Sequence, residues 1–265
     1  MEKLIFIKLG GSVITDKNQA FWAKEGVIAR LGREIYEVSK LFKGKIIIGH
    51  GSGSFGHTFA SKYKTHKGLI GKKSLEGLVK TADSAVQINR IVVKNLIKSG
   101  LKVISFAPSS FIFAKETKPR KYFVVPIKTC LEIGCLPVVY GDIVMDEDQG
   151  FSIFSTEKVI SILIKGLSND YDIDRVIQCG ITDGVYNSNG NTIANIQTES
   201  FSKLKSAIGG SDSTDVTGGM LHKVEESVYI ARKFGLNTVI INAQRRGELK
   251  KAILGHKTKS TTIHG

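Results

Sequence analysis

The chain has 265 residues, 42% of them hydrophobic and 23% charged, the balance of an ordinary globular protein and not of a disordered one. Thirty-eight Lys and Arg against 24 Asp and Glu leave a formal charge of +14, which suits nucleic acid, a membrane surface or an anionic substrate. The basic residues are scattered, with no run of five and no interleaved aromatic platform, which argues against a polyanion groove; the lysine excess also suits a heat-adapted surface. Cys130, Cys135 and Cys179 are odd in number and lack CxxC spacing, so neither a disulfide framework nor a zinc site is indicated. The N-terminal run KLIFIKLGG is too short, and is broken by Lys8, to be a signal peptide; no 18-residue apolar run follows. The expectation is a cytoplasmic protein that engages neither nucleic acid nor membrane.

In chain order, residues 4–9 form a short apolar run closed by glycine and read as a buried parallel strand. A loop over 10–26 leads into a helix near 27–42, and a second strand at 45–49 ends in a glycine loop at 51–56. Residues 58–73 read as a polar connection and 74–99 as a helix. Then follow a strand at 101–106, a helix at 122–134, a strand at 136–140 and a hairpin at 141–155 with an acidic turn. A helix at 156–167 precedes a strand at 174–180, a turn at 187–190 and a weakly patterned stretch to 210. A helix at 221–234, a strand at 238–242 and a short helix near 246–254 close the pattern. Strands alternating with helices at this rhythm specify a largely parallel sheet covered on both faces, in one compact domain.

Five loops carry the chemistry. Gly10-Gly11-Ser12 follows the first strand, flanked by Lys8 and Lys17. Backbone without Cβ can lie against a ligand, and its free N–H groups attract anions, above all where a helix then begins. It is neither a Walker A loop, whose spacing is absent, nor a dinucleotide fingerprint. The second loop, Gly51-Ser52-Gly53-Ser54-Phe55-Gly56-His57, matches GxGxxG, but the acidic residue expected about 20 positions on would be Glu76, in polar sequence and not at a strand end. Asp142 in YGD follows a strand and reads equally as a site residue or as a turn residue capping its own loop. GITDGVY at 180–186 holds Asp183-Gly184, by itself a turn signal. DVTGGM at 215–220 places Gly219 at a helix start with Lys223 one turn inside, a further phosphate cradle.

Together KLGGS at 8–12, the glycine loop at 51–56, YGD at 140–142, TDGVY at 182–186 and DVTGGM with Lys223 resemble the amino acid kinase family over nearly the whole chain. Within it, GGSVITDK ending in Lys17 and HGSGSFGH ending in His57 resemble the isopentenyl phosphate kinase branch. The resemblance implies a three-layer αβα sandwich around a mostly parallel sheet, with an acceptor lobe over 1–168 and an ATP lobe over 169–265. It implies transfer of the ATP γ-phosphate to isopentenyl phosphate with Mg²⁺, in a homodimer. Lys17, His57 and Lys8 would be catalytic. Lys8, Gly10, Gly11, Ser12, Gly53, Asp183, Gly219 and Lys223 would hold ATP, and Ser52, His57 and Gly141 the acceptor; no residue is assigned to a metal. Two departures stand out: Ile181 replaces an acidic residue in GITDG, and Ser155-Thr156-Glu157-Lys158 stands where SGDD is common. The isopentenyl tail is placed against helix 74–98 near Leu78, Val86 and Ile91. Alternatives are a kinase for a phosphonate such as fosfomycin or for a carbamate, a non-catalytic nucleotide sensor, and a Rossmann-type oxidoreductase.

Overall fold

A computed structural model describes residues 1–202, 204 and 219–265. Its centre is strand β1 (Glu2–Leu9), whose run LIFIKL is buried throughout. Parallel β2 (Lys45–His50) and parallel β9 (Tyr171–Gly180) flank it, and the eight-stranded sheet runs β10-β12-β11-β9-β1-β2-β6-β3. The remaining members are β3 (Val103–Ser105), β6 (Leu136–Tyr140), β10 (Asn195–Gln197), β11 (Asn237–Asn242) and β12 (Ser260–His264). Only the β11–β12 pairing is antiparallel among these described strands.

Because successive side chains of a strand alternate in direction, β1 feeds two cores. Ile5, Ile7 and Leu9 join a cluster with α2 (Glu25–Ser39), α4 (Lys72–Lys98) and α8 (Glu248–Leu254). Leu4 and Phe6 join the opposite cluster with α5 (Val125–Glu132), α6 (Thr156–Leu167) and Ile230 of α7 (Gly219–Phe234). In α2 the buried Ile28, Leu31, Ile35 and Val38 recur at helical spacing, and each such side chain contributes roughly 1.5–3 kcal/mol by leaving water. The three-layer α/β sandwich expected from the sequence is therefore present.

Three regions differ from the sequence expectation. Helix α3 (Gly53–Tyr63) begins inside the predicted glycine loop and runs through the predicted connection. Its glycines are poor helix formers, but Phe55 and the first turn are buried against the rest of the fold, and packing overrides propensity. A smaller sheet, β5-β4-β7-β8, contains the expected hairpin of β7 (Asp142–Asp146) and β8 (Gly150–Phe154), plus an unforeseen one, β4 (Ile112–Lys115) and β5 (Lys118–Tyr122). The β4–β5 turn puts Glu116 and Thr117 at φ +50° and +59° without glycine or asparagine, so it lacks the sequence signal for such turns. Its amides are instead held by carboxylates of the neighbouring hairpin, Glu116 N–H by Asp148 at 3.1 Å and Thr117 N–H by Asp146 at 2.9 Å. Strands β10 and β12 were also unforeseen.

Candidate active site

Strands β1 and β2 lie in register, Leu9 opposite His50, so the glycine loops leave the same sheet edge side by side. Their backbones touch. A Cβ on Gly11 would stand 2.7 Å from Gly53 N, and one on Gly51 would stand 2.9 Å from Gly11 N. Buried Thr15 ties the loops together: its hydroxyl donates to Gly11 O (2.8 Å) and accepts from Ser54 N–H (3.1 Å). Sequence reasoning passed over Thr15, because a lone threonine beyond a loop carries no signal until its distant partner is known. Gly10 N–H donates to Cys179 O at 3.0 Å, fastening the loop to β9. Ser12 and Ser52 are half-buried, and Gly53 is buried at the start of α3. Helices α1 (Gly11–Ile14), α3, α6 and α7 all begin at this edge. Their positive ends make the edge favourable for anions.

Two cations, Lys8 and Lys223, sit behind these loops. Lys8 follows the alternation of Leu4 and Phe6 and points toward α6 and α7, only 7% exposed. Its ammonium pairs with Glu157 in the first turn of α6. Burial, then the nearby Lys223 charge, pull the Lys8 ammonium down to about 7. Lys223, half-buried on α7, brings Nζ to 3.6 Å from where a Cβ of Gly180 would stand. Thus Lys8 from β1 and Lys223 from α7 meet at the ends of β1 and β9, as the sequence suggested. The counter-ion Glu157 was missed; it belongs to the segment read above as a departure, and its carboxylate anchors Lys8. Alpha-helix α6 can approach because residue 49 is glycine, where a Cβ would come 2.7 Å from Thr156 Cγ2. Thr156 Oγ1 then donates to His50 O at 2.7 Å.

Lys17 and His57 occupy the outer side and are both exposed. Residues 15–24 fold into a small hairpin, closed by a Thr15–Ala23 bridge and Asp16 N–H to Trp22 O at 3.0 Å. Phe21 seats this hairpin on α3 through Phe55 (5.5 Å between centroids) and Phe59 (5.3 Å), the residues that flank His57 in sequence. Gly141 N–H is engaged by His50 O at 3.3 Å, so Gly141 borders the cleft with its amide already used. Asp142 accepts from Ser109 N–H (3.2 Å) and from Ile143 N–H (2.8 Å). Its carboxyl is raised by burial, and these bonds favour the structural reading of a residue that fixes its own turn.

Asp183 is buried and receives Asn242 Nδ2 (3.1 Å), Arg245 Nη2 (2.6 Å) and Lys259 Nζ (3.0 Å). Burial alone would raise this carboxyl; the bonds from Lys259 and Asn242 and the Arg245 charge outweigh it and hold the group below its ordinary value. The outward-facing groups are the exposed cations Arg245 and Lys259, which sequence reasoning missed because they lie far along the chain from TDG. Gly219 opens α7 as expected, while residues 215–218 of DVTGGM lie outside the described residues. The three tail-pocket residues do not share a face: Val86 is 43% exposed and Ile91 packs on the inner core. Ala85, Tyr140, Ile143 and Phe151 are instead buried apolar groups outside the three core clusters. Glu76, the acid a dinucleotide site would need, lies on α4 bound to Tyr63 and Lys80.

Among the described residues no group of three His, Cys, Asp or Glu could hold a metal, and no helix is long and apolar enough to cross a membrane.

The amino acid kinase family profile matches residues 3–242. Isopentenyl phosphate kinase of Methanothermobacter thermautotrophicus is 34% identical, with 99% of each chain covered. That of Methanocaldococcus jannaschii is 30% identical over 95% of each. A solved isopentenyl phosphate kinase superposes with a TM-score of 0.80 at 30% identity, covering 98% of this chain and 100% of that one. A Giardia carbamate kinase superposes at 0.66 with 14% identity and shares the fold. With its sheet, its paired glycine loops and its buried lysines in the arrangement described, this chain belongs to the amino acid kinase family.

Proposed function

We infer that the chain is an ATP-dependent kinase that converts isopentenyl phosphate to isopentenyl diphosphate. One observation carries the reading: two touching glycine loops and the Lys8–Lys223 pair open on the same sheet edge, with relatives of this activity matching along nearly the full length. A phosphonate acceptor and a non-catalytic sensor are not favoured by those relatives.

The acceptor is itself a phosphate monoester. One of its anionic oxygens attacks the γ-phosphorus, the bond from that phosphorus to the β-bridging oxygen breaks, and ADP leaves. No strong base is needed; the obstacle is repulsion between two anions, and the remedy is charge neutralisation and positioning. Lys8 and Lys223 neutralise the β- and γ-phosphates, Gly10, Gly11, Ser12 and Gly53 supply close backbone, and Gly219 contributes the opening of α7. Lys17 bridges toward the transferred group. His57 donates a hydrogen bond to the acceptor phosphate, beside the Ser52 amide and the backbone of Gly141. Asp183 acts from behind by fixing Arg245 and Lys259 on the nucleotide side. The donor would be MgATP, in which Mg²⁺ would supply charge neutralisation at the phosphates beside Lys8 and Lys223. The tail runs between α4 and the β7–β8 hairpin, toward Ala85, Tyr140, Ile143 and Phe151. Residues 1–168 serve the acceptor and 169–265 the nucleotide. A homodimer and cytoplasmic residence belong to the same reading, and light scattering tests the former.

The test is ADP release with MgATP against a panel of isopentenyl phosphate, fosfomycin, carbamate and glutamate. Release with isopentenyl phosphate alone is expected. Preference for another acceptor, or ATP binding without any turnover, overturns the reading.

A further inference from the structure

His50 ends β2 with its ring fully buried and stacked on Tyr140, centroids 5.5 Å apart and planes 13° from parallel. Its two nitrogens are both engaged. Nδ1 lies 3.1 Å from Gly51 O, and Nε2 lies 3.1 Å from Asn89 Nδ2 on α4. Asn89 Oδ1 in turn accepts from Ser105 Oγ at 2.8 Å. The direction of this chain follows from one fixed end. A carbonyl oxygen only accepts, so Nδ1 carries the hydrogen; a neutral imidazole then has a bare Nε2, matched by the Asn89 amide donor. The Ser105 hydroxyl holds the Asn89 oxygen and so fixes which way that amide faces. Burial lowers the imidazole to about 4, consistent with a neutral ring.

The consequence lies one peptide further on. In a planar trans peptide the carbonyl and the following N–H point in opposite directions. With the Gly51 carbonyl turned inward to the imidazole, the Ser52 N–H is aimed away from the buried ring, and no protein acceptor among the described residues takes it.

We propose that His50 is a positioning residue: held as its Nδ1–H form by Asn89 and Ser105, it pins the Gly51 carbonyl and thereby aims the Ser52 amide at the acceptor phosphate. This rests on the reading of Ser52 as an acceptor-binding residue. The same buried chain joins α4, which borders the proposed tail site, to the loop that would hold the phosphate. Seating of the tail and aim of the amide are thereby linked through three side chains.

The first measurement needs no substrate: ¹⁵N imidazole spectra of the ligand-free full chain at neutral pH, with His50 assigned by its substitution. The expected signature is a protonated Nδ1 and a bare Nε2; the opposite tautomer overturns the proposal. The second compares His50→Asn, which keeps a donor near the Nδ1 position, with His50→Gln, which places it near Nε2, and with Asn89→Leu. His50→Gln and Asn89→Leu are expected to raise KM for isopentenyl phosphate about tenfold, the scale of one lost hydrogen bond. His50→Asn is expected to raise it much less, and KM for ATP stays unchanged in all three. Equal losses in Asn and Gln, or a parallel rise of both KM values, mean that the ring is only structural. If the wild type turns over no isopentenyl phosphate, the proposed function has failed instead. The tautomer and the affinities of the same variants for inorganic phosphate then decide the positioning role separately.

Discussion

Lys8 and Lys17 belong to the same short stretch of sequence, yet Lys8 is 7% exposed with its ammonium against a buried carboxylate, and Lys17 is exposed on a surface hairpin. The buried side of the cleft carries Lys8, Lys223 and Glu157. There a cation is costly to place, so its protonation is perturbed and its position is held by an ion pair. The outer side carries Lys17 and His57, where charge costs little and geometry is set by backbone and by Phe21 packing on α3. The contrast teaches that the two anions of the proposed reaction are met by different means: a buried lysine held in place by a carboxylate for the nucleotide, and exposed groups for the acceptor.

That contrast can be broken in four ways. Lys8→Met removes the buried group proposed to meet the nucleotide phosphates and is expected to lower kcat by about 10³, the upper range for loss of one transition-state donor; steady-state ADP release checks it. Glu157→Gln leaves the buried Lys8 without its counter-ion. A stability loss of roughly 3 kcal/mol is expected by denaturant unfolding, and combining it with Lys8→Met should recover most of that loss. Lys17→Ala and His57→Ala should each lower kcat by about 10². Because both side chains are exposed, their unfolding free energies should stay within about 0.5 kcal/mol of wild type; a large stability loss would contradict the assignment to the outer side.

The smallest effect is a proton. Lys8 is pulled to about 7 in the free protein, so near pH 8 it is mostly neutral, and anionic nucleotide phosphates favour its charged form. The sign is therefore uptake of a fraction of a proton on binding at about pH 8, fading toward pH 6, where Lys8 is already charged. Calorimetric binding of a non-hydrolysable ATP analogue in buffers of different ionisation enthalpy reads it. Lys8→Met should abolish the uptake, whereas Lys17→Ala should retain it.

The sequence carried the sheet and the loops because their signals are local: LIFIKL followed by Gly-Gly, IIIGH followed by GSGSFG, and Lys223 one turn into a helix. What it did not carry depends on partners far along the chain. Thr15 matters because Ser54 lies across from it, and Glu157 because Lys8 points into the α6 layer. Glu116 and Thr117 hold left-handed backbone because Asp146 and Asp148 capture their amides. Helix α3 was read as loop because its glycines are weak helix formers, and only the tertiary packing of Phe55 reverses that preference. Asp183 in TDG is by itself a turn signal, and only the family resemblance implies a nucleotide role for it; its partners Asn242, Arg245 and Lys259 lie too far along the chain to be read from that motif.

A crystal structure of the full chain with a non-hydrolysable ATP analogue and isopentenyl phosphate tests the two-sided cleft most directly. The account predicts Lys8 and Lys223 ammonium groups on the β- and γ-phosphate oxygens, and the acceptor phosphate at the Ser52 amide with His57 donating to it. The facing oxygen and phosphorus should lie roughly 3–3.5 Å apart. Either phosphate bound away from this sheet edge, or His57 and the lysines turned to separate ligands, would contradict it.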